Sequence, residues 1–157
     1  KIPRMAVSEE AVRKGILDAC WPGRLEKIAD RPRVVLDGAH NVDSARKMLE
    51  GLKRHFHYSD LILVFGSSAD KDVEGMLRQL LTQADCLIVT QSSHPRAMPA
   101  QKIASLIEHA GKEIFVIPPA KDALEKARTL ADVDDLIVVT GSLYLVGEMR
   151  QQLFGGG

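Results

Sequence analysis

Arg24 and Asp37 are well suited to bind a ligand. Arg24 lies in Trp21-Pro22-Gly23-Arg24-Leu25-Glu26, and the apolar run Val34–Leu36 ends in Asp37-Gly38-Ala39-His40-Asn41 before an amphipathic pattern begins. This order predicts a strand, a tight turn and a helix start. Open α/β sheets bind ligands at the carboxyl ends of their strands, so an acid, a histidine and a helix N-terminus meet where such a fold places its chemistry. Arg24, just upstream, could reach the same place.

Each polar residue of the Asp-Gly-Ala-His-Asn segment has a functional and a structural interpretation. An acid at the end of a buried strand loses solvation unless it is paired. Asp37 therefore needs a cation, a metal or hydroxyl donors such as those of a ribose, or it is a structural partner of Arg24 or of a loop amide. His40 could face a ligand or cap the turn. Asn41 is a good N-cap for a helix that begins at Val42.

Three further polar loops follow predicted strands, and we expect them at the same edge of the sheet. They are Gly66–Asp72, Ser92–Arg96 and Thr140–Ser142. The Gly141-Ser142 pair opens the last helix, where free backbone N–H groups can hold an anion. The His94-Pro95-Arg96 segment could touch a substrate or form a rigid turn. Lys71, Arg96 and Ser142 are the candidate substrate contacts in these loops.

Five continuous apolar runs must position these loops, and they indicate strands buried on both faces, typical of a parallel sheet. The runs are Val34–Leu36, Leu61–Phe65, Cys86–Val89, Ile114–Ile117 and Leu136–Val139. Helical periodicity fills the gaps, with apolar residues three and four positions apart. These helical patterns begin at Val42, Val73, Ile103, Ala123 and Leu143. The sequence therefore predicts an α/β fold, Rossmann-like and doubly wound, with a mostly parallel sheet of five to six strands and helices on both faces.

The two ends of the chain differ from this repeat. Ser8 can cap a short helix that ends near Asp18, with Glu9 and Glu10 in its first turn. We interpret residues 1–20 as a tail or linker from a preceding domain and residues 21–154 as the α/β domain. The last three residues, 155–157, are expected to be a disordered glycine tail.

Composition excludes several classes of function. Lys+Arg and Asp+Glu are equal at 21 each, so the charge gives no reason to expect nucleic acid or an anionic membrane as partner. The sequence contains no apolar run of about 18 residues, the length that a membrane-spanning helix needs. Neither a Walker A loop nor a Gly-x-Gly-x-x-Gly turn is present. The two cysteines, Cys20 and Cys86, form no Cys-x-x-Cys pair, no metal site is predicted, and a reducing cytoplasm is the expected location.

Taken in order, five motifs resemble a known family. They are Trp21–Glu26, Leu36–Asn41, Asp70–Asp72, Pro95–Ala97 and Gly141–Glu148. Together they resemble the C-terminal domain of folylpolyglutamate synthase/dihydrofolate synthase, in the Mur ligase superfamily. The resemblance covers essentially the whole chain from about Ser8 onward.

The resemblance implies an ATP-dependent ligase. In this family a carboxylate is activated as an acyl phosphate, and the amino group of L-glutamate attacks it; the acceptor is a folate or dihydropteroate. The P-loop and the Mg²⁺ ligands belong mainly to an N-terminal ATPase domain, which would be the partner of this domain. By the same resemblance, Arg24 contacts the ATP phosphates and Asp37 the nucleotide. His40 faces the same cleft as a further catalytic candidate, and Asn41 adds to the cofactor contacts.

Three other interpretations stay open. The chain could be a binding or regulatory module that kept the fold without catalysis. It could be a ligase domain of a related Mur type that acts on a peptide. A receiver-like domain with Asp37 as phosphoacceptor is disfavoured, because Thr140-Gly141-Ser142 stands where a lysine would be expected. The sequence does not separate dihydropteroate from tetrahydrofolate as acceptor.

Overall fold

A computed structural model describes residues 7–17, 21–107 and 111–154 of the chain. The strands are β1 (Glu26–Asp30), β2 (Arg33–Leu36), β3 (Leu61–Phe65), β4 (Cys86–Gln91), β5 (Glu113–Pro119) and β6 (Leu136–Thr140). The helices are α1 (Glu9–Leu17), α2 (Val42–His55), α3 (Val73–Leu80), α4 (Ala100–Ser105), α5 (Ala120–Leu130) and α6 (Leu143–Phe154). None of these helices is long and apolar enough to cross a membrane.

The strands form one sheet in the order β1-β2-β6-β3-β4-β5. Every neighbouring pair is parallel except β1 and β2, which form an antiparallel hairpin. The last strand in sequence, β6, therefore lies between β2 and β3. This is the predicted Rossmann-like, mostly parallel α/β sheet, and the fold prediction is confirmed.

Alternating side chains of each strand pack on opposite faces of the sheet, as the period of two requires. Val35, Leu63 and Val138 point to the face covered by α2, α3 and α4. Val34 and Ile137 point to the face covered by α5 and α6. Both faces are therefore apolar, which explains why the central strands appear in the sequence as continuous apolar runs rather than alternating ones.

The hairpin strand β1 was not among the five predicted strands. Its sequence, Glu-Lys-Ile-Ala-Asp, is mixed in polarity, and no residue of β1 is fully buried. β1 lies at an edge of the sheet and pairs only with β2. Edge strands commonly carry charged residues, so they lack the apolar pattern of central strands. β1 can be recognised as a strand only from its pairing with β2 in the structure.

The remaining predicted elements agree with the structure, with small differences at their ends. Ser8 caps α1 as predicted, since its hydroxyl accepts the N–H of Ala11 at 3.2 Å. Helix α4 ends at Ser105, short of the predicted Leu106 and Ile107. Cys86 is buried in β4 as a small core residue. The expectations for residues 1–6 and 18–20, which include Cys20 and the helix end at Asp18, and for the glycine tail 155–157 lie outside the described residues.

Candidate functional site

The polar loops predicted to share one edge of the sheet do so. The parallel strands β2, β6, β3 and β4 all end there, and their following loops carry Asp37–Asn41, Gly141–Ser142, Gly66–Asp72 and Ser92–Arg96. Two hydrogen bonds tie these loops to one another directly. The N–H of Gly141 donates to the carbonyl of Ala39 at 3.0 Å, and the N–H of Ala69 donates to the carbonyl of Arg96 at 2.9 Å.

A cleft of about 470 Å³ opens beside the ends of β2 and β6. Its walls come from the turn before β1, the loop after β2, the first half of α2 and the start of α6. The lining residues are Trp21, Pro22, Gly23, Arg24, Leu25, Asp37, Gly38, Ala39, His40, Asn41, Asp43, Ser44, Lys47, Met48 and Leu143. Arg24, Asp37, His40 and Asn41, the four predicted cofactor contacts, therefore line one cleft.

The Asp37 carboxylate lies under the cleft and is paired with backbone amides. Its side chain accepts the N–H of Leu25 at 3.0 Å through Oδ2 and the N–H of Ala39 at 2.9 Å through Oδ1. Burial raises the pKa of Asp37 above its ordinary value, while the two amides and the nearby charge of Arg24 act in the opposite direction. Of the alternatives left open by the sequence, the loop amide is the partner that the structure shows.

A second buried aspartate at the opposite edge of the sheet makes the same kind of contact. Asp135 accepts the N–H of Asp60 at 3.1 Å and that of Asp132 at 2.8 Å. Asp135 precedes β6 and does not line the cleft. The hydrogen bond from the Leu25 amide to Asp37 ties the 21–25 turn to the end of β2.

Arg24 is the positively charged side chain of the cleft that is available to bind a ligand. Within the described parts of the chain no carboxylate lies at salt-bridge distance from its guanidinium, whose central carbon lies 5.7 Å from the centre of the Trp21 ring. Lys47, the other cation in the lining, already pairs with Asp43 at 2.7 Å. Arg24 is exposed, and its planar guanidinium suits a phosphate.

His40 and Asn41 are fixed by local hydrogen bonds. The Nδ1–H of His40 donates to the carbonyl of Gly38 at 2.8 Å, because a carbonyl only accepts; Nε2 is the remaining polar atom of the ring. Asn41 is the predicted N-cap of α2, and its Oδ1 accepts the N–H of Ser44 at 2.8 Å. The side chain of Ser44 completes a capping box.

The three predicted substrate contacts do not line this cleft. Lys71 and Arg96 meet at Asp70, whose Oδ2 lies 3.1 Å from each cation; these three residues form what we call the Asp70 cluster. The two cations lower the pKa of Asp70, with Lys71 the larger cause. Ser142 is buried, and its Oγ accepts the N–H of Tyr144 at 3.1 Å.

Helix α6 holds the loop that follows β4. The carboxylate of Glu148 accepts the N–H of Ser93 at 2.7 Å and the hydroxyl of Ser93 at 2.8 Å. The ring of His94 stacks on Tyr144, and its Nδ1 accepts the N–H of Arg96. The His-Pro-Arg segment is therefore a turn anchored to α6. Tyr144 and Glu148 lie in the Gly141–Glu148 motif, but the sequence assigned neither a role, because their contacts with this loop depend on the fold.

Sequence reasoning also missed the role of Glu26 and Arg150. Glu26 accepts the N–H of Gly23 at 2.7 Å and the Nε–H of Arg150 at 3.0 Å. Glu26 is the last residue of the Trp21–Glu26 motif, and its closeness to Arg24 in the sequence was the available sign of its role. Arg150 lies 124 positions away and has no local signature.

The donors at the cleft fit an anionic group such as the phosphates of a nucleotide. Arg24 supplies a charged fork of N–H donors. With the ring hydrogen of His40 on Nδ1, its Nε2 is an acceptor and not one of these donors. Within residues 7–17, 21–107 and 111–154, no three His, Cys, Asp or Glu side chains are grouped so as to hold a metal ion. The guanidinium of Arg24 is the group in this cleft that suits a phosphate.

An α/β domain with a phosphate-compatible cleft at the carboxyl edge of its sheet agrees with the family that the sequence matches. Residues 23–143 match the family "Mur ligase, glutamate ligase domain". The chain belongs to this family, and its resemblance to folylpolyglutamate synthase/dihydrofolate synthase is confirmed.

Similar proteins carry related names. The chain is 33% identical over 147 residues to the dihydrofolate synthase/folylpolyglutamate synthase of Bacillus subtilis, an alignment that covers 94% of this chain and 34% of that protein. It resembles the structure of Mycobacterium tuberculosis folylpolyglutamate synthase complexed with ADP and AMPPCP, with a TM-score of 0.88, 31% identity, and coverage of 94% of this chain and 36% of that one.

A further solved structure is a bifunctional folylpolyglutamate synthase/dihydrofolate synthase with Mn, AMPPNP and L-glutamate bound. Its TM-score is 0.84 and its identity 27%, with coverage of 96% of this chain and 36% of that one. The chain thus spans about a third of the length of the proteins that it matches.

Proposed function

We propose that this chain is the C-terminal domain of an ATP-dependent ligase that adds L-glutamate to a folate-type carboxylate. Membership of the glutamate ligase domain family supports the reaction class, and the names of the relatives support the substrates. The observation that carries the proposal is the position of Arg24. It lies at the cleft beside His40, above a carboxylate that is already paired with amides.

In this proposal the cleft receives the phosphates of ATP. ATP supplies the phosphoryl group that activates the acceptor carboxylate. The guanidinium of Arg24 binds that group and offsets its charge as it transfers. His40 adds a ring nitrogen at the same cleft, and Asn41 orders the start of α2 there. Asp37 orients Arg24 through the Leu25 amide, and it contacts the nucleotide from its position in the lining of the cleft.

We place L-glutamate at the neighbouring loops of the same edge. Lys71 and Arg96 are cations that can bind its carboxylates, and Ser142 precedes α6 at the same edge of the sheet. The exposure of the Asp70 cluster supports this role, because a carboxylate of the substrate can exchange with that of Asp70. Residues 1–20 serve as the linker to the preceding ATPase domain in this arrangement.

The chain by itself should then be inactive. It carries no Walker A loop, and its described residues hold no metal cluster, so Mg²⁺ would be bound mainly by the N-terminal ATPase domain. In the complete ligase, this domain closes over the nucleotide and helps to place glutamate.

Turnover assays test the proposal. The purified chain and the full-length ligase that carries it are incubated with ATP, Mg²⁺, L-glutamate and either dihydropteroate or tetrahydrofolate. We expect ADP, phosphate and a glutamylated product from the full-length protein and none from the chain. Product formed by the chain alone would contradict the two-domain arrangement.

The same assay separates the alternatives. Ligation of an amino acid to a peptide substrate, with neither folate accepted, would identify a related Mur-type peptide ligase. Nucleotide binding without turnover of any acceptor would identify a binding or regulatory module.

A further inference from the structure

The backbone amides on both sides of Arg24 are held by carboxylates. The N–H of Gly23 donates to Oε2 of Glu26 at 2.7 Å, and the N–H of Leu25 donates to Oδ2 of Asp37 at 3.0 Å. Arg24 therefore stands between two fixed amides. Its position is set by Glu26 on one side and by Asp37 on the other.

The turn that these carboxylates hold is conformationally unfavourable. Gly23 has a φ of 71°, and Leu25 has a φ of 44°, which is uncommon for a residue with a side chain. Such a conformation persists only where surrounding contacts impose it. The amide of Leu25 is one such contact, and the carbonyl of Gly23, which accepts the N–H of Gly38 at 2.7 Å, is another. The surrounding contacts thus impose the conformation of this turn, and this conformation sets the position of Arg24.

Glu26 is itself anchored by a helix distant in sequence. The Nε–H of Arg150 on α6 donates to Oε1 of Glu26 at 3.0 Å, while the side chain of Glu26 is only 13% exposed. Hydrogen bonds between a guanidinium and a carboxylate of low exposure are stronger and better oriented than those of solvent-exposed pairs. The same Nε–H lies 3.3 Å from Oε2, the oxygen that accepts the Gly23 amide, so Arg150 fixes the orientation of the whole Glu26 carboxylate at that amide.

We propose that Glu26, anchored by Arg150, is a positioning residue that sets Arg24 in the cleft for phosphoryl transfer. This inference rests on the proposed function, because it takes Arg24 to be the phosphate ligand. Glu26 itself touches neither nucleotide nor substrate in this account. Its effect on the reaction passes entirely through Arg24.

A double-mutant cycle in the full-length ligase tests this. Glu26→Ala should lower kcat by roughly tenfold to a hundredfold, since misplacing a catalytic group by about 1 Å can cost that much, with the KM for glutamate unchanged. In an Arg24→Ala background, Glu26→Ala should cause no further loss, because the group it positions is gone. Arg150→Ala should give a smaller loss of the same kind.

Two variants keep the test decisive if Glu26→Ala does not fold. Glu26→Gln retains an acceptor for the Gly23 amide and removes only the charge that pairs with Arg150, so its loss of kcat should match that of Arg150→Ala. Asp30→Ala removes an exposed ion pair with Lys27 at the other end of β1, and kcat should not change.

The possible results separate the inference from the function on which it rests. If the effects of Glu26→Ala and Arg24→Ala on kcat simply multiply, Glu26 is structural and the inference is wrong. The same holds if Arg24→Ala is damaging while Glu26→Ala and Arg150→Ala are neutral, and the proposed function then survives. Wild-type activity in Arg24→Ala would remove the phosphate role of Arg24, and the inference would fall with it.

Discussion

The imidazole of His94 stacks on the ring of Tyr144, with the ring centres 3.7 Å apart and the planes 12° from parallel. His94 belongs to the loop after β4, and Tyr144 to the first turn of α6. One turn further along α6, Glu148 accepts two hydrogen bonds from Ser93. The start of the last helix therefore fixes the loop that carries Arg96.

Removing the Tyr144 ring should weaken the proposed glutamate site. In Tyr144→Ala we expect the KM for L-glutamate to rise roughly two- to tenfold, because a stacked aromatic pair contributes about 0.5–1.5 kcal/mol. The KM for ATP should stay within about twofold, since Tyr144 does not line the cleft. Initial-rate kinetics of the full-length ligase measure both constants. Tyr144→Phe keeps the ring and is the matched control; a loss in Tyr144→Phe equal to that in Tyr144→Ala would exclude stacking as the cause.

Removing the Arg24 guanidinium should affect the chemical step. Arg24→Ala is expected to lower kcat by on the order of 10²–10³-fold, by analogy with other lost electrostatic donors. Arg24→Lys should restore little, because the planar fork is lost. Steady-state and single-turnover rates of the full-length ligase check this. Near-normal rates in Arg24→Ala would reduce Arg24 to a surface residue.

Asp37→Asn and Asp135→Asn form a matched pair of variants. Each replaces a carboxylate that accepts hydrogen bonds from two backbone amides. In the variant, one of these amides faces the side-chain NH₂ group, which cannot accept a hydrogen bond. Both should lose about 1–3 kcal/mol of stability, measured by denaturant unfolding. Only Asp37→Asn should also lower the activity of the full-length ligase, because only Asp37 holds the turn of Arg24. Full activity in Asp37→Asn, at equal loss of stability, would contradict this positioning role.

The raised pKa of Asp37 gives a prediction for pH. Because its pKa is higher in the folded than in the unfolded chain, the folded state binds more protons between these two values. The ionised carboxylate is therefore less favourable in the folded chain than the protonated one, and this cost declines as pH falls through the folded pKa and is gone below the unfolded pKa. Relative to Asp37→Asn, the wild type should gain stability as pH is lowered from neutral into this window. Urea unfolding of both proteins at several pH values measures the difference, and the opposite trend would show that the amides and Arg24 outweigh burial.

Glycine is required at position 141 by the backbone. Gly141 has a φ of 104°, and an added Cβ would lie 2.6 Å from the carbonyl oxygen of Gly66. Gly141→Ala should therefore lower the free energy of unfolding by about 1–3 kcal/mol. Gly147→Ala in α6 is the control, since nothing lies within 4 Å of the added atom. That change should stabilise by roughly 0.5–1 kcal/mol because alanine favours a helix. Thermal unfolding of the chain compares the two, and equal melting temperatures would contradict the conformational argument.

The sequence by itself determined the repeating architecture and predicted that the polar loops, which include the candidate site, share one edge of the sheet. The five apolar runs correspond to the four central strands, which are covered on both faces, and to the edge strand β5, and the parallel order brought the polar loops to one edge. Asn41 was predictable as an N-cap because capping is a contact between residues three positions apart. Local patterns of this kind depend on near neighbours alone, so they can be found without the fold.

Only the tertiary structure decided which groups pair across the molecule. The edge strand β1 has no apolar pattern and is defined by its partner β2. The hydrogen bond between Leu25 and Asp37 joins residues 12 positions apart, and that between Arg150 and Glu26 joins residues 124 positions apart. Lys71 and Arg96 meet at Asp70 for the same reason. These contacts depend on how the strands are ordered and how α6 lies across their ends, and no short-range periodicity encodes such an arrangement.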